Sequence, residues 1–190
     1  MTDVPRRTTY LLVDGENIDA TLGGSILGAR PAPEERPRWE RVLEFARSVW
    51  GGDDVVGLFV LDASAGTMPM SFVQALVAIG FRPIPLAGEP HEKVVDIGIQ
   101  RTLVALADHP GDVLLASHDG DFAPQIGDLL APGRHVGVLA FKEFTSTALQ
   151  HLGEGGLEVF DLESDVGAFN VVLPRLRIIP LAEFDPLRYL

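Results

Sequence analysis

The sequence predicts a three-layer α/β/α domain built on a mostly parallel central sheet. Apolar runs of strand length alternate with amphipathic stretches of helical length, the pattern of βα units wound around such a sheet. The runs are also close to continuously apolar. Strands covered by helices on both faces read that way, whereas a half-solvated sheet alternates.

In chain order the first strand is Tyr10–Val13, in YLLVDGEN. A Pro/Gly-rich insertion, GGSILGARPAPEERP, separates it from a helix over 38–50. Strand Val55–Leu61, helix Pro69–Ile79, strand Phe81–Pro85 and helix Lys93–Ala107 follow. The Pro110-Gly111 turn leads into strand Val113–Ala116 and helix Phe122–Leu130. Pro132-Gly133 leads into strand His135–Leu139, helix Phe144–Leu152 and a short strand Leu157–Phe160. Beyond Asp161 the alternation fades, and Pro174, Pro180 and Pro186 exclude a long helix. The expected organisation is one domain over residues 1–160 and an apolar arm over 161–190. The arm packs on the domain or on a partner subunit, in which case the protein is a homodimer.

At 190 residues with 46% hydrophobic content, the chain is long enough to bury a full core. No apolar run approaches the 18 or more residues of a membrane helix, and the first apolar stretch is too short for a signal peptide. With no cysteine there is no disulfide framework and no thiolate zinc site, so a cytoplasmic protein is expected. A net charge of −12 argues against a binder that relies on a basic face. It does not exclude nucleic acid as a substrate, because a metal held by carboxylates brings its own positive charge.

Ligands of an open parallel sheet bind outside the carboxyl ends of the strands, where strand order reverses. The first strand ends on Asp14, followed by Glu16 and Asn17; the fourth ends in SHDGD, with Ser117, His118, Asp119 and Asp121. In common doubly wound orders these two strands are neighbours. The helix from Lys93 puts Lys93, Asp96 and Gln100 on one face and Val95, Ile99, Leu103 and Leu106 on the apolar side. Asp96 therefore sits in the first turn, where that helix meets the strand ends. Each piece also reads as plain local structure. Asp14-Gly15 makes a turn, Asn17 or Asp119 a helix cap, Lys93 and Asp96 an exposed pair, and His118 a structural residue. Convergence of the three clusters favours a site. Carboxylates so close together store repulsion of about 3 kcal/mol per pair at ~5 Å, so at least one carboxyl pKa should be raised. Hard oxygen donors in this number select Mg2+ or Mn2+ rather than zinc.

VDGEN, then KVVD, then SHDGDF with a Pro-containing helix, in that order, resemble the NYN domain, most closely its bacterial LabA-like group. The NYN domain is a branch of the PIN-like ribonucleases. The resemblance covers residues 8 to 160 and implies a Rossmann-like PIN fold, a pocket holding Mg2+ or Mn2+, and hydrolysis of RNA phosphodiesters. By position it implies Asp14, Asp96, Asp119 and Asp121 as catalytic metal ligands. Asn17 is the pocket amide, Ser117 a residue that holds the pocket or contacts phosphate, and Lys93 a residue facing the scissile phosphate. The 23–37 insertion and the tail after 161 depart from the family core. Two alternatives use the same residues: a non-catalytic RNA- or protein-binding module, and a Toprim-like phosphotransfer domain. The latter wants Glu where Asp14 stands and leaves Lys93 and Asp96 unexplained. A haloacid-dehalogenase-type phosphatase needs D-x-D after the first strand, and Glu16 stands at the second position.

Overall fold

A computed structural model describes residues 7–52, 54–175, 179–188 and 190. Its strands are β1 (Thr8–Asp14), β2 (Asp54–Asp62), β3 (Phe81–Leu86), β4 (Asp112–Ala116), β5 (Val136–Ala140) and β6 (Glu158–Asp161). All pair in parallel, in the order β3-β2-β1-β4-β5-β6. The order reverses between β1 and β4, where Val13 lies opposite Ala116, so the two strands end side by side. The helices are α1 (Gly15–Thr21), α2 (Trp39–Ser48), α3 (Met70–Ile79), α4 (Val94–Leu106), α5 (Ala123–Leu129) and α6 (Thr147–His151).

The period-two alternation of each strand divides the core. Leu11, Val13, Leu114 and Ala116 face one layer, against Val42 and Leu43 of α2 and Leu76 of α3. Leu12, Val113 and Leu115 face the other, against Val95, Ile99 and Leu103 of α4, Ile126 of α5 and Leu149 of α6. This is the three-layer arrangement expected. β3 carries Pro83 and Pro85, which cannot donate to a ladder on both sides, and it lies at a sheet edge. Among the described residues no helix is long and apolar enough to cross a membrane.

Two stretches differ from the sequence expectation. The 23–37 insertion is not wholly irregular: α1 runs straight into a π-helical segment, Leu22–Leu27, that ends on left-handed Gly28 (φ 67°). Ile18 and Leu22 are fully buried and Ile26 packs against the same core, so burial outweighs the poor helix propensity of Gly23 and Gly24. The helix after β4 begins with a 3-10 turn, Gly120–Phe122, before α5.

Leu162, Val166, Ala168, Phe169 and Leu173 belong to the same core as α2 and α3. Arg175 pins this segment. Its Nε lies 2.9 Å from Glu163 and its Nη2 3.4 Å from Asp161, and Nη1 pairs with Glu143. Its guanidinium carbon sits 4.9 Å from the centre of the Phe141 ring. Leu181, Leu187 and Leu190 are exposed. Arg175→Ala should cost about 3 kcal/mol in urea unfolding, because it leaves the inward-facing Asp161 without its cation. Lys142→Ala, which removes an exposed pair with Asp165 (2.9 Å), should cost less than about 1 kcal/mol. Equal losses for the two would contradict the pinning role.

Candidate functional site

β1 delivers Asp14 to its end as a buried carboxylate. The chain turns at once into α1, which needs Gly15: a Cβ there would come within 2.8 Å of the Phe59 ring. Asp14 caps α1, its Oδ1 accepting from Asn17 N at 3.1 Å. Its Oδ2 accepts from Ser117 Oγ across the strand junction at 3.0 Å. The Asn17 side-chain oxygen accepts from His118 N at 3.1 Å and lies 3.1 Å from Ser117 Oγ, so two acceptors share the one hydroxyl proton. Asp119 N in turn donates to Ser117 Oγ at 3.2 Å. One hydroxyl therefore ties Asp14, Asn17 and Asp119 together.

Asp119 caps the 3-10 turn, accepting from Asp121 N at 2.9 Å through Oδ1. Asp119 is therefore a cap, as its local reading has it, with only its Oδ1 used in that bond. Gln100 of α4 reaches the Asp121 carbonyl (3.3 Å) and holds that turn against α4. Asp96, in the first turn of α4, completes a cluster: one oxygen from each of Asp96, Asp119 and Asp121 lies within 4.8 Å of the other two. Asp14 is outside this triad, one hydrogen-bonded residue deeper. All seven sequence-predicted site residues thus fall at the carboxyl ends of β1 and β4, with three carboxylates in front and Asp14 behind.

Lys93 supplies a cation here, with Nζ 3.3 Å from Asp96 and 3.5 Å from Asp121. Those two carboxylates, first Asp96 through a hydrogen bond, push the ammonium pKa up. The side chain is largely exposed, so solvent screens what it neutralises. His118 is not a second cation. Burial pushes its pKa down to about 4, against the pull of Asp119. Its Nε2 is 2.5 Å from Thr21 Oγ1, and its ring packs edgewise on Phe141. It bolts α1 to the end of β4, as the structural reading has it.

The raised carboxyl expected from the sequence is Asp14, at about 6. The main cause is burial rather than repulsion; hydrogen bonds from Asn17 and Ser117 oppose it, and the charges of Asp96 and Glu16 add to it. Glu16 is also raised, by partial burial and then by Asp62 and Asp96. Glu16 and Asp62 are the acids that sequence reasoning left out of the site. Asp62 ends β2, so the strand-end rule that found Asp14 reaches it too.

A parallel sheet in the order β3-β2-β1-β4-β5-β6 is a doubly wound α/β domain, and here a group of carboxylates lies beyond β1 and β4 at the switch point. The model of the NYN domain, a branch of the PIN-like superfamily, matches residues 8–154, and the chain belongs to this family. A crystal structure of a protein of unknown function from Vibrio parahaemolyticus shares the fold, with a TM-score of 0.63 and 20% identity. The match covers 87% of this chain and 98% of that one. No curated protein matches by sequence.

The Asp14 carboxyl titrates near 6 when folded and near 3.8 when unfolded, so its ionisation favours unfolding. The penalty is absent below pH 4, grows as pH rises, and is complete above pH 6, on the order of 3 kcal/mol. Asp14→Asn removes the charge. In EDTA, the stability of wild type relative to Asp14→Asn should fall by about that amount between pH 4 and 7. A difference that stays flat across this range would show that Asp14 is not buried as described.

Proposed function

We propose that this protein is a metal-dependent endoribonuclease of the LabA-like branch, hydrolysing RNA phosphodiesters in the pocket beyond β1 and β4. The supporting observation is the convergence of Asp96, Asp119 and Asp121 within 4.8 Å in a chain of the NYN family. The donor set fits Mg2+ or Mn2+: each of the clustered donors is a carboxylate oxygen, and cysteine is absent. Such an ion supplies positive charge to the phosphoryl oxygens as negative charge develops in an in-line displacement.

The residues of the chain have distinct roles in this reading. Asp96, Asp119 and Asp121 are the outer ligands, and Asp14, buried behind Ser117, completes the catalytic carboxylate set as the inner ligand. Asn17 and Ser117 hold Asp14 and Asp119 at a fixed separation, so that the pocket need not be assembled when substrate arrives. Lys93 neutralises Asp96 and Asp121 before substrate binds, and its exposed ammonium then turns toward the scissile phosphate. The nuclease unit is taken as residues 1–160, of which 1–6 and 53 lie outside the described residues; of the arm over 161–190, the stretch from Leu162 to Arg175 packs on that unit.

Asp119→Asn tests this directly. It should abolish Mn2+-dependent cleavage of RNA. It should also shrink the metal-induced stabilisation, which in wild type reaches about 2.7 kcal/mol at a hundredfold excess over the dissociation constant. The metal-free protein should be equally or more stable, because asparagine caps as well as aspartate. An identical melting response to Mn2+ in both proteins would refute the metal role of Asp119. RNA binding with no cleavage under either metal would instead make the protein a non-catalytic module.

A further inference from the structure

A second cavity adjoins the acidic pocket. It is a cleft of about 670 Å3 between α1, the loop before α2, the end of β2 and the start of α3. Its aromatic lining is a chain of rings: Trp39 meets Phe59 edge-on at 5.1 Å, and Phe59 meets Phe72 edge-on at 5.4 Å. Its polar lining carries both signs. Arg36 lies 3.7 Å from Asp19, while Glu16 and Asp62 present carboxylates. Arg38 is the unusual member, because its Nε is buried and has no hydrogen-bond partner among the described residues. That atom has almost no accessible surface, so Arg38 lines the cleft through other parts of its side chain. The cleft and the pocket share a wall: Gly15 and Glu16 line the cleft and directly follow Asp14.

We infer that this cleft is a nucleobase subsite, which takes one unpaired base of the RNA strand whose phosphate lies over the acidic pocket. This rests on the ribonuclease reading above. Four observations carry it. The volume lies within the range of small-ligand sites, and a base needs to be out of its duplex stack to present both faces and its edge there. Phe72, half-buried at the cleft with Phe59 and Trp39 in the core behind it, gives a base apolar contact that tolerates any sequence. A base edge carries acceptors and donors together, matching the Arg36 and Arg38 side chains on one side and the Glu16 and Asp62 carboxylates on the other. The same two carboxylates disfavour a phosphate in the cleft, which separates base from phosphate along the strand. The 23–37 insertion, which the family core does not require, thus gains a function, since Pro33 and Arg36 build one wall of the cleft and Arg38 continues it.

Nucleosides test this without phosphate and without metal. Titrating the full chain in EDTA with adenosine, guanosine, cytidine and uridine should give saturable quenching of tryptophan fluorescence. Trp39 lines the cleft, whereas the other tryptophan, Trp50, stacks on His135. Ribose 5-phosphate should give none. Arg38→Gln and Phe72→Leu should each weaken nucleoside binding at least fivefold, and Asp119→Asn should leave it unchanged. Arg38→Gln keeps the test decisive if Phe72→Leu folds poorly. Absence of saturable quenching, or equal affinity in wild type and Arg38→Gln, would overturn the subsite. Nucleoside binding without RNA cleavage would overturn the nuclease reading alone, and RNA cleavage without nucleoside binding the subsite alone.

Discussion

The site depends on one hydroxyl. Ser117 Oγ donates toward Asp14 and accepts from Asp119 N, and it lies where the sheet brings β1 and β4 to a common end. Asp14 is also the cap of α1, and Asp119 the cap of the turn into α5. The hydroxyl therefore fixes two helix starts relative to each other as well as two carboxylates. His118, bridging Thr21 to the same loop, adds a second tie between α1 and β4. A catalytic constellation needs such support, because small displacements of its groups are expensive in rate. Here the support is the fold's own capping chemistry, so the residues that hold the pocket are also those that start its helices.

Burial and charge act at different depths in the pocket. Asp14 is nearly inaccessible, and its raised pKa reflects lost hydration that two hydrogen bonds only partly replace. Asp96 and Asp119 are half-buried and Asp121 exposed, with Lys93 across the mouth. Water and a flexible ammonium can carry the outer charges, whereas the inner one depends on fixed donors. A divalent ion is the natural complement to the outer three. It concentrates more charge than an ammonium, and oxygen donors suit it.

Much of this was legible in the sequence because it follows from local pattern plus one topological rule. The ends of all six strands fall within two residues of their apolar runs, since burial on both faces makes the runs continuous. The neighbouring of β1 and β4 and the inward face of α4 follow from strand order and helical periodicity. The continuation of α1 through Leu27 was hidden by Gly23-Gly24, although Ile18, Leu22 and Ile26 recur every four residues and carried the signal. The depth of Asp14 was hidden for another reason: adjacent strand-end acids look alike until packing separates them. The cleft has no local signature at all. Arg38, Phe59 and Phe72 come from three separate elements, and only the sheet brings them to one wall.

The net charge of −12 then stops being a paradox for a protein of this family. Salt-sensitive affinity for nucleic acid comes from cations that neutralise phosphates, and a groove that works this way must be basic along its length. A strand held by a stacked base at one point and by an oxygen-bound divalent ion at the next needs no such groove. Both contacts are short-ranged, and neither adds positive side chains. The acids that make the chain so negative include those that would hold the ion. The basic residues near the site are few and individually placed: Lys93 over the pocket, Arg36 and Arg38 in the cleft. An interface of this kind trades long-range attraction for discrimination at close range. As proposed, such an interface would accept a strand whose base can leave its stack and reject polyanions that offer only charge.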